Sequence, residues 1–438
     1  MNTLSDNSSR IGRVIQFFSP TALQIFFTFA LPFIFTVVGY MYEEALQINY
    51  FTFILSIVVS LLVGSLMTIS RVLTNVSYTI IHGFIIAPMF AVATYASSIT
   101  LSTTHLIVVF CFLFFFFIAD RMSQLFFSNN KKHLLNDKYD NFYVFVYMLI
   151  FLIILFKFGF RNIEILETYK NQYEIRSYLS FDFPYSYMLN FWLGIFSAAP
   201  AIFLARKSYL LFLFSLFSVL YIYTIYPLAA IVFMSILILS LSMSINVFKK
   251  YFQYSNFYLL FLTFVITFFG VVWLVDHPVL YSIFNRAFYV IGWNTYYYID
   301  FFINADLYLL RGSLMDLGSS YSEPIGFIID RVYYSGEGSN QSSGGIANLY
   351  ANGGLTGVIF GSILLGFLVN LAASISSNLQ VSFILILSVI ISFVNFPLQQ
   401  LFLSNGFIFL FLIFFIRKIL IKKYTNYYKV RPNFRTAT

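Results

Sequence analysis

Four arginines, Arg176, Arg286, Arg311 and Arg331, stand in two polar stretches of an otherwise oily chain. A guanidinium stays charged at any working pH and grips phosphate oxygens through two parallel hydrogen bonds. Arginines held beside a membrane surface are therefore suited to a lipid diphosphate. The plainer reading pairs them with carboxylates of the same stretches, such as Glu174, Asp182, Asp300 and Asp330. For any single arginine both readings stand; for at least one of Arg176 and Arg286 the phosphate reading is preferred, with Arg311 third. Diphosphate leaves readily once its developing charge is neutralised, so such a set could stabilise its departure. The attacking hydroxyl then needs a base, or orientation beside the reacting carbon. Asp300, Glu323 and Glu337 are the candidate bases, and nothing in the sequence chooses among them.

Other chemistries find fewer residues. No HExxH, GxSxG, Walker or CxxC pattern occurs in a catalytic context. Of the four histidines, His105 and His133 carry no motif. His82 sits mid-way in an apolar run and reads first as a hydrogen-bonded structural residue, and only His277 is clearly in a polar loop. The nearest thing to a metal-holding acidic pair is Glu43–Glu44, which has no second carboxylate close by and reads as a solvated turn. A metal-independent mechanism without a cofactor is expected. Cys111 is the single cysteine, so no disulfide can form within the chain.

The elements that must position these groups are membrane helices. The 438 residues are 60% hydrophobic and only 10% charged, against roughly 25% charged in a soluble domain. Apolar runs near the length of about 20 residues needed to cross a bilayer recur along the chain. Twelve spans are expected, at about 21–41, 50–69, 77–97, 101–119, 142–160, 185–204, 208–225, 228–247, 256–275, 349–371, 380–396 and 401–420. The polar start with Arg10 and Arg13 leads into a full-length span, so no cleavable leader is expected. With both termini inside, the outer loops hold only Arg161, Lys170, Arg176, Arg286, Arg311 and Arg331. Every other lysine and arginine except Lys157, at an outer helix end, falls on inner segments. That asymmetry follows the positive-inside rule and accounts for the net charge of +8 without nucleic acid. The expected fold is thus one all-α transmembrane domain over 1–438.

Two outer loops are longer than connectors, at 161–184 and 276–348. A structureless loop beyond about 15 residues is usually functional or disordered, and the aromatics of the second (Trp293, Tyr296, Tyr297, Tyr298, Phe301, Phe302) argue for order. Its first half predicts an amphipathic helix lying on the outer interface, with Arg286, Trp293, Tyr297 and Asp300 near one face. Later, Gly336, Gly338, Gly344 and Gly345 suit a flexible lid, with a plain linker as the bland alternative. Gly353, Gly357 and Gly361 recur every fourth residue, a spacing that lets membrane helices pack closely.

The order of several segments completes the reading. "YEIR" in the first loop is followed by "AAPAIFLARK", then "NRAFYVIGWNTYYYIDFF", "PIGFIIDRVYY" and "GGIANLYANGGLTGVIFGSILLG". In this order they resemble the Wzy-type O-antigen polymerases, which join oligosaccharide repeat units; the motifs cover roughly residues 140–370. The resemblance implies a C-type (GT-C-like) glycosyltransferase of the bacterial inner membrane, using undecaprenyl-diphosphate-linked oligosaccharides on the periplasmic face. A growing glycan would pass from its lipid to the non-reducing end of a new lipid-linked repeat, with a chain-length regulator as an expected partner. It also implies that the family's loop arginines fall on Arg176 and Arg286. Its "N-x-Y-x-x-x-G-x-x-G" pattern falls on Asn348, Tyr350, Gly354 and Gly357. Related ligases often carry histidine just before that asparagine, where this chain has Ala347. Many relatives have glycine with a basic residue and serine near 224–230, where this chain reads "TIYPLAAI". A flippase for the same lipid-linked repeat, a ligase and a non-enzymatic scaffold remain the rival readings.

Overall fold

The computed structural model describes residues 2–38, 48–70, 74–95, 101–127, 138–159, 184–226, 228–247, 257–277, 280–281, 284–309, 318, 320–334, 344–375, 378–403, 405–409 and 412. Within them the secondary structure is entirely helical. In chain order come α1 (Asn2–Val38), α2 (Tyr50–Ile69), α3 (Thr74–Tyr95, with a π-helical turn at His82–Ile86), α4 (Thr103–Phe127) and α5 (Lys138–Phe158). Next are α6 (Tyr185–Leu193), α7 (Ile195–Ala205), α8 (Tyr209–Ile225), α9 (Ala229–Val247) and α10 (Phe257–Val275). A π turn at Asn285–Tyr289 leads into α11 (Val290–Asn304); α12 (Ile325–Tyr333), α13 (Gly345–Ile375), α14 (Leu379–Asn395) and α15 (Leu398–Leu403) follow.

Six of these helices, α1 to α4, α10 and α13, are long and apolar enough to cross a membrane; α6 with α7 makes seven if that bent pair is one span. The twelve spans expected from hydropathy are therefore not all present as full-length helices among the described residues. The apolar portions of α5, α8, α9 and α14 run 10–17 residues. Even 17 residues give only about 25 Å of helix, short of a hydrocarbon core of about 30 Å. What the helices turn outward is apolar. Phe156 is 86% exposed, Leu210 82% and Phe360 71%, a surface suited to lipid rather than water.

The chain divides into two compact units. The first holds Met1–Gln124, Ser240–Val369 and Ile390–Leu398; the second holds Leu125–Leu239, Asn370–Val389 and Gln399–Thr438. The hub of the first is α3, whose spanning window is wholly buried. Gln24 of α1 donates to the Ala87 carbonyl at 3.3 Å. His82 lies between the Ser60 hydroxyl of α2 at 3.1 Å and the Tyr258 hydroxyl of α10 at 2.5 Å. Both ring nitrogens are thus partnered, as a structural histidine in an apolar bundle requires. The core of the second unit is aromatic: Tyr147 packs against Trp192, Phe196, Phe203 and Phe214. Its hydroxyl is matched to that of Ser218.

The glycines near α13 do something other than expected. Gly344 and Gly345 are buried, and a Cβ on Gly345 would strike the Phe393 ring, so these two belong to packing and not to a lid. Gly336 and Gly338 lie outside the described residues. α13 changes direction at Gly354, whose φ of 56° and ψ of −146° suit glycine far better than any side chain. The reversal folds the 345–353 stretch against the helix that follows. A Cβ on Gly357 would strike the Leu349 carbonyl, and one on Gly361 the Leu349 side chain. So Gly357 and Gly361 admit the chain's own preceding turns, while Gly353 has open space around its Cβ position.

Candidate functional site

The long loop helix, α11 with the π turn before it, carries two of the proposed site residues, Arg286 and Asp300. It was expected to lie on the membrane surface with one face covered. Instead more than one face is covered: Gly292, Asn294, Thr295, Tyr296, Tyr298, Ile299 and Phe302 are all buried. The enabling residue is Gly292, where a Cβ would stand 2.6 Å from the Met89 nitrogen. With no side chain there, α11 seats against the backbone of α3. Phe288 stacks on Phe84 with centroids 5.0 Å apart, so the two helices run side by side in the same direction. Arg286 is exposed and Trp293, Tyr297 and Asp300 are half-buried, as are Val290, Ile291, Phe301 and Ile303. Trp293, Tyr297 and Asp300 keep the grouping read from the sequence, on a helix built into the bundle, while the π turn shifts the phase of Arg286.

The two charged groups stand far apart. Arg286 sits in the π turn before α11 and Asp300 in the last turns of α11. The helix between them is about 20 Å long. Arg286 and Asp300 thus do not share one pocket.

Around Asp300 the structure gathers a polar and aromatic cluster. The Tyr333 hydroxyl of α12 donates to Asp300 Oδ2 at 2.8 Å, and the Tyr334 hydroxyl donates to Asn294 Oδ1 at 2.8 Å. Tyr297 stacks on Tyr333 with centroids 4.3 Å apart and on Trp293 at 5.2 Å. Tyr334 meets the Tyr297 ring edge-on at 5.4 Å. From α4, the His105 ring stacks on Tyr296 at 4.7 Å and its Nε2 lies 3.1 Å from the Tyr296 carbonyl oxygen. A carbonyl only accepts, so Nε2 carries the proton; Nδ1 then accepts from the Ser102 hydroxyl at 2.7 Å. The histidine pins the Asp300 end of α11 to the start of α4.

Burial and the Asp300 carboxylate act on the phenols in the same direction. Tyr333 is raised above the ordinary tyrosine value first by burial, then by its hydrogen bond to Asp300 and by that group's charge. Tyr297 is raised by burial and then by Asp300. Both therefore stay protonated donors across the physiological range. A carboxylate that accepts from a phenol, walled by aromatic rings, can receive a proton from a hydroxyl while rings hold an apolar sugar face.

The other predicted residues fall as follows. Glu323 forms an ion pair with Arg331, and Arg331 Nη1 donates to Glu323 Oε2 at 3.1 Å. This is the plainer reading of Arg331, and a carboxylate so engaged is less suited to act as a base. Asn348 and Tyr350 are buried in the turn ahead of the Gly354 reversal, where Asn352 Nδ2 donates to the Asn348 carbonyl at 2.8 Å. The backbone after α11 is tied to this turn, because Tyr308 donates its N–H to the Ala351 carbonyl at 2.8 Å. Arg176, Arg311, Glu337 and the Glu43–Glu44 pair lie outside the described residues. Among the described residues no group of three His, Cys, Asp or Glu side chains is placed to hold a metal ion.

Reading the sequence alone missed His105, Asn294, Tyr333 and Tyr334. The paired tyrosines after "IIDR" carried a signal, since both fall at the end of an amphipathic helix. His105 carried none, being isolated in sequence. No family model matches this chain, and neither does any curated protein or solved structure.

Proposed function

We propose that the chain is an inner-membrane glycosyltransferase of about twelve spans that polymerises lipid-linked oligosaccharide repeat units on the outer face. The observation that carries this reading is the Asp300–Tyr333 pair set among Trp293, Tyr297 and Tyr334. It lies in the long loop that the charge pattern assigns to the outside. In the proposed reaction Asp300 accepts the proton of an acceptor sugar hydroxyl. That oxygen bonds to the anomeric carbon of the donor glycan as the bond from that carbon to the diphosphate breaks. The electron pair leaves with undecaprenyl diphosphate. Arg176 and Arg311 are assigned to the departing diphosphate. Arg286, about 20 Å along the helix from Asp300, is assigned to the diphosphate that the acceptor keeps at its far end.

The test uses purified protein with defined lipid-linked repeats, the products being separated by size. A ladder of lengths is expected from the wild type, and single capped repeats from Asp300→Asn, Arg176→Ala and Arg286→Ala. Normal ladders from the Asp300 and both arginine variants would sink the assignment. Transfer of one finished glycan to a lipid A acceptor would instead mark a ligase. A second reading, a flippase for the same lipid-linked repeat, draws on the interrupted pair α6 and α7, bent by 42°, since broken helices are common in transporters. Movement of the repeat across a vesicle without any new glycosidic bond would favour it.

A further inference from the structure

Asp300 stands close to a helix end. α11 finishes at Asn304, and Ala305 beyond it is already extended, with φ −113° and ψ 158°. Helix ends fray, whereas a group doing chemistry must be held to within about 0.5 Å of its working position. The hydrogen bond from Tyr333 fixes one carboxylate oxygen, but Tyr333 is itself the last residue of α12, a helix of nine residues. Two helix ends that lean on each other make a soft support.

A firmer support comes from α4, a helix of 25 residues. His105 lies in its first turn and is fully buried. The ring is fixed on its own element first. Ser102, just ahead of α4, donates its hydroxyl to Nδ1 at 2.7 Å, and the His105 N–H donates to the Ser102 carbonyl at 3.1 Å. That leaves the Nε2–H, aimed at the Tyr296 carbonyl 3.1 Å away. In an α-helix a carbonyl accepts the N–H of the residue four positions on, and four positions beyond Tyr296 is Asp300. The oxygen has two lone pairs: one takes the Asp300 amide and the other the imidazole. The ring also stacks on Tyr296 at 4.7 Å, so a slip of this turn would break both contacts. The long helix thus grips α11 at the peptide group that holds the Asp300 backbone.

We propose that His105 is a positioning residue for Asp300: its Nε2–H on the Tyr296 carbonyl keeps the turn that carries the carboxylate in place against the acceptor hydroxyl. The inference rests on Asp300 as the base of the proposed transfer. Being fully buried, His105 is assigned no contact with sugar or diphosphate and no part in moving the proton. Losing its donor should therefore slow the chemical step and leave substrate binding as it was.

The test measures kcat, KM and Tm on the purified full chain with defined lipid-linked repeats, for His105→Gln, His105→Asn and His105→Phe. The glutamine amide nitrogen reaches about as far as Nε2, whereas that of asparagine reaches only as far as Nδ1. Phenylalanine keeps a ring to stack but has no donor. His105→Gln should keep most of the wild-type kcat. His105→Asn and His105→Phe should lower it by about 10- to 100-fold at unchanged KM, the scale of a reacting group displaced by about 1 Å. Placed on top of Asp300→Asn, the same substitutions should add no further loss, because the two residues act as one unit. Equal kcat from the Gln and Asn variants, a loss confined to KM, or a full additional loss in the Asp300→Asn background overturns the positioning role while Asp300 stands. Normal polymerisation by Asp300→Asn alone overturns the base itself, and the role of His105 with it. If His105→Phe does not fold, the Gln and Asn variants decide between them.

Discussion

The hydrogen bond from Tyr333 to Asp300 joins a residue legible in the sequence to one that was not. Asp300 could be nominated because a carboxylate in a polar outer loop is a candidate base whatever the fold. Tyr333 could not, because its partner lies 33 positions away and only the packing of α12 against α11 brings them together. If Asp300 takes the proton, Asp300→Asn should lower polymerisation by at least about 100-fold, the usual span for a lost general base. Tyr333→Phe should cost less, about 10-fold, by removing one hydrogen bond of roughly 1–1.5 kcal/mol. Product ladders at equal protein and equal Tm check both; equal losses from the two variants would point to a structural role for the pair. A second prediction concerns pH. Because Tyr333 is raised above the tyrosine value of 10.0, its contribution to stability is fully present below pH 10 and is lost as pH rises past it. Alkaline denaturation monitored with tyrosinate absorbance should therefore begin at lower pH in the wild type than in Tyr333→Phe when the two are compared at matched neutral stability.

Among the elements, α11 and α13 show what periodicity can and cannot convey. The spacing of Arg286, Trp293, Tyr297 and Asp300 marked a stripe, and Trp293, Tyr297 and Asp300 keep it. Periodicity carried no information on what covers the remaining faces, which α3 does by way of Gly292. The "GGIANLYANGG" run marked bare backbone, but spacing by four suggested packing between helices, whereas φ of 56° at Gly354 turns the chain back on itself. Neighbouring glycines therefore predict opposite outcomes. Gly354→Ala forces an L-residue into strained backbone and should destabilise the fold by about 1–3 kcal/mol. Gly353→Ala meets open space and should be neutral or gain up to about 1 kcal/mol, since alanine favours helix over glycine. Denaturation of the two variants side by side separates them; equal behaviour would mean that the reversal is absent.

At the scale of the whole molecule the membrane character was legible and the helix lengths were not. Hydropathy marks which runs are apolar, and the outward Phe156, Leu210 and Phe360 are what such runs must present to lipid. It does not mark where a run is interrupted, so α6 and α7 read as one span although Gly194 breaks them. Orientation rests on charge, which is independent of helix length: lysines and arginines crowd the segments assigned inside, and acidic residues the segments assigned outside. This makes topology testable without knowing the reaction. In a Cys111→Ser background, which removes the single native thiol, Ser335→Cys should react with a membrane-impermeant maleimide applied from outside. Thr436→Cys should react only after the membrane is opened. The reverse pattern would place the Asp300 loop in the cytoplasm. It would also remove the basis for a polymerase working on the outer face, whatever the cluster around Asp300 binds.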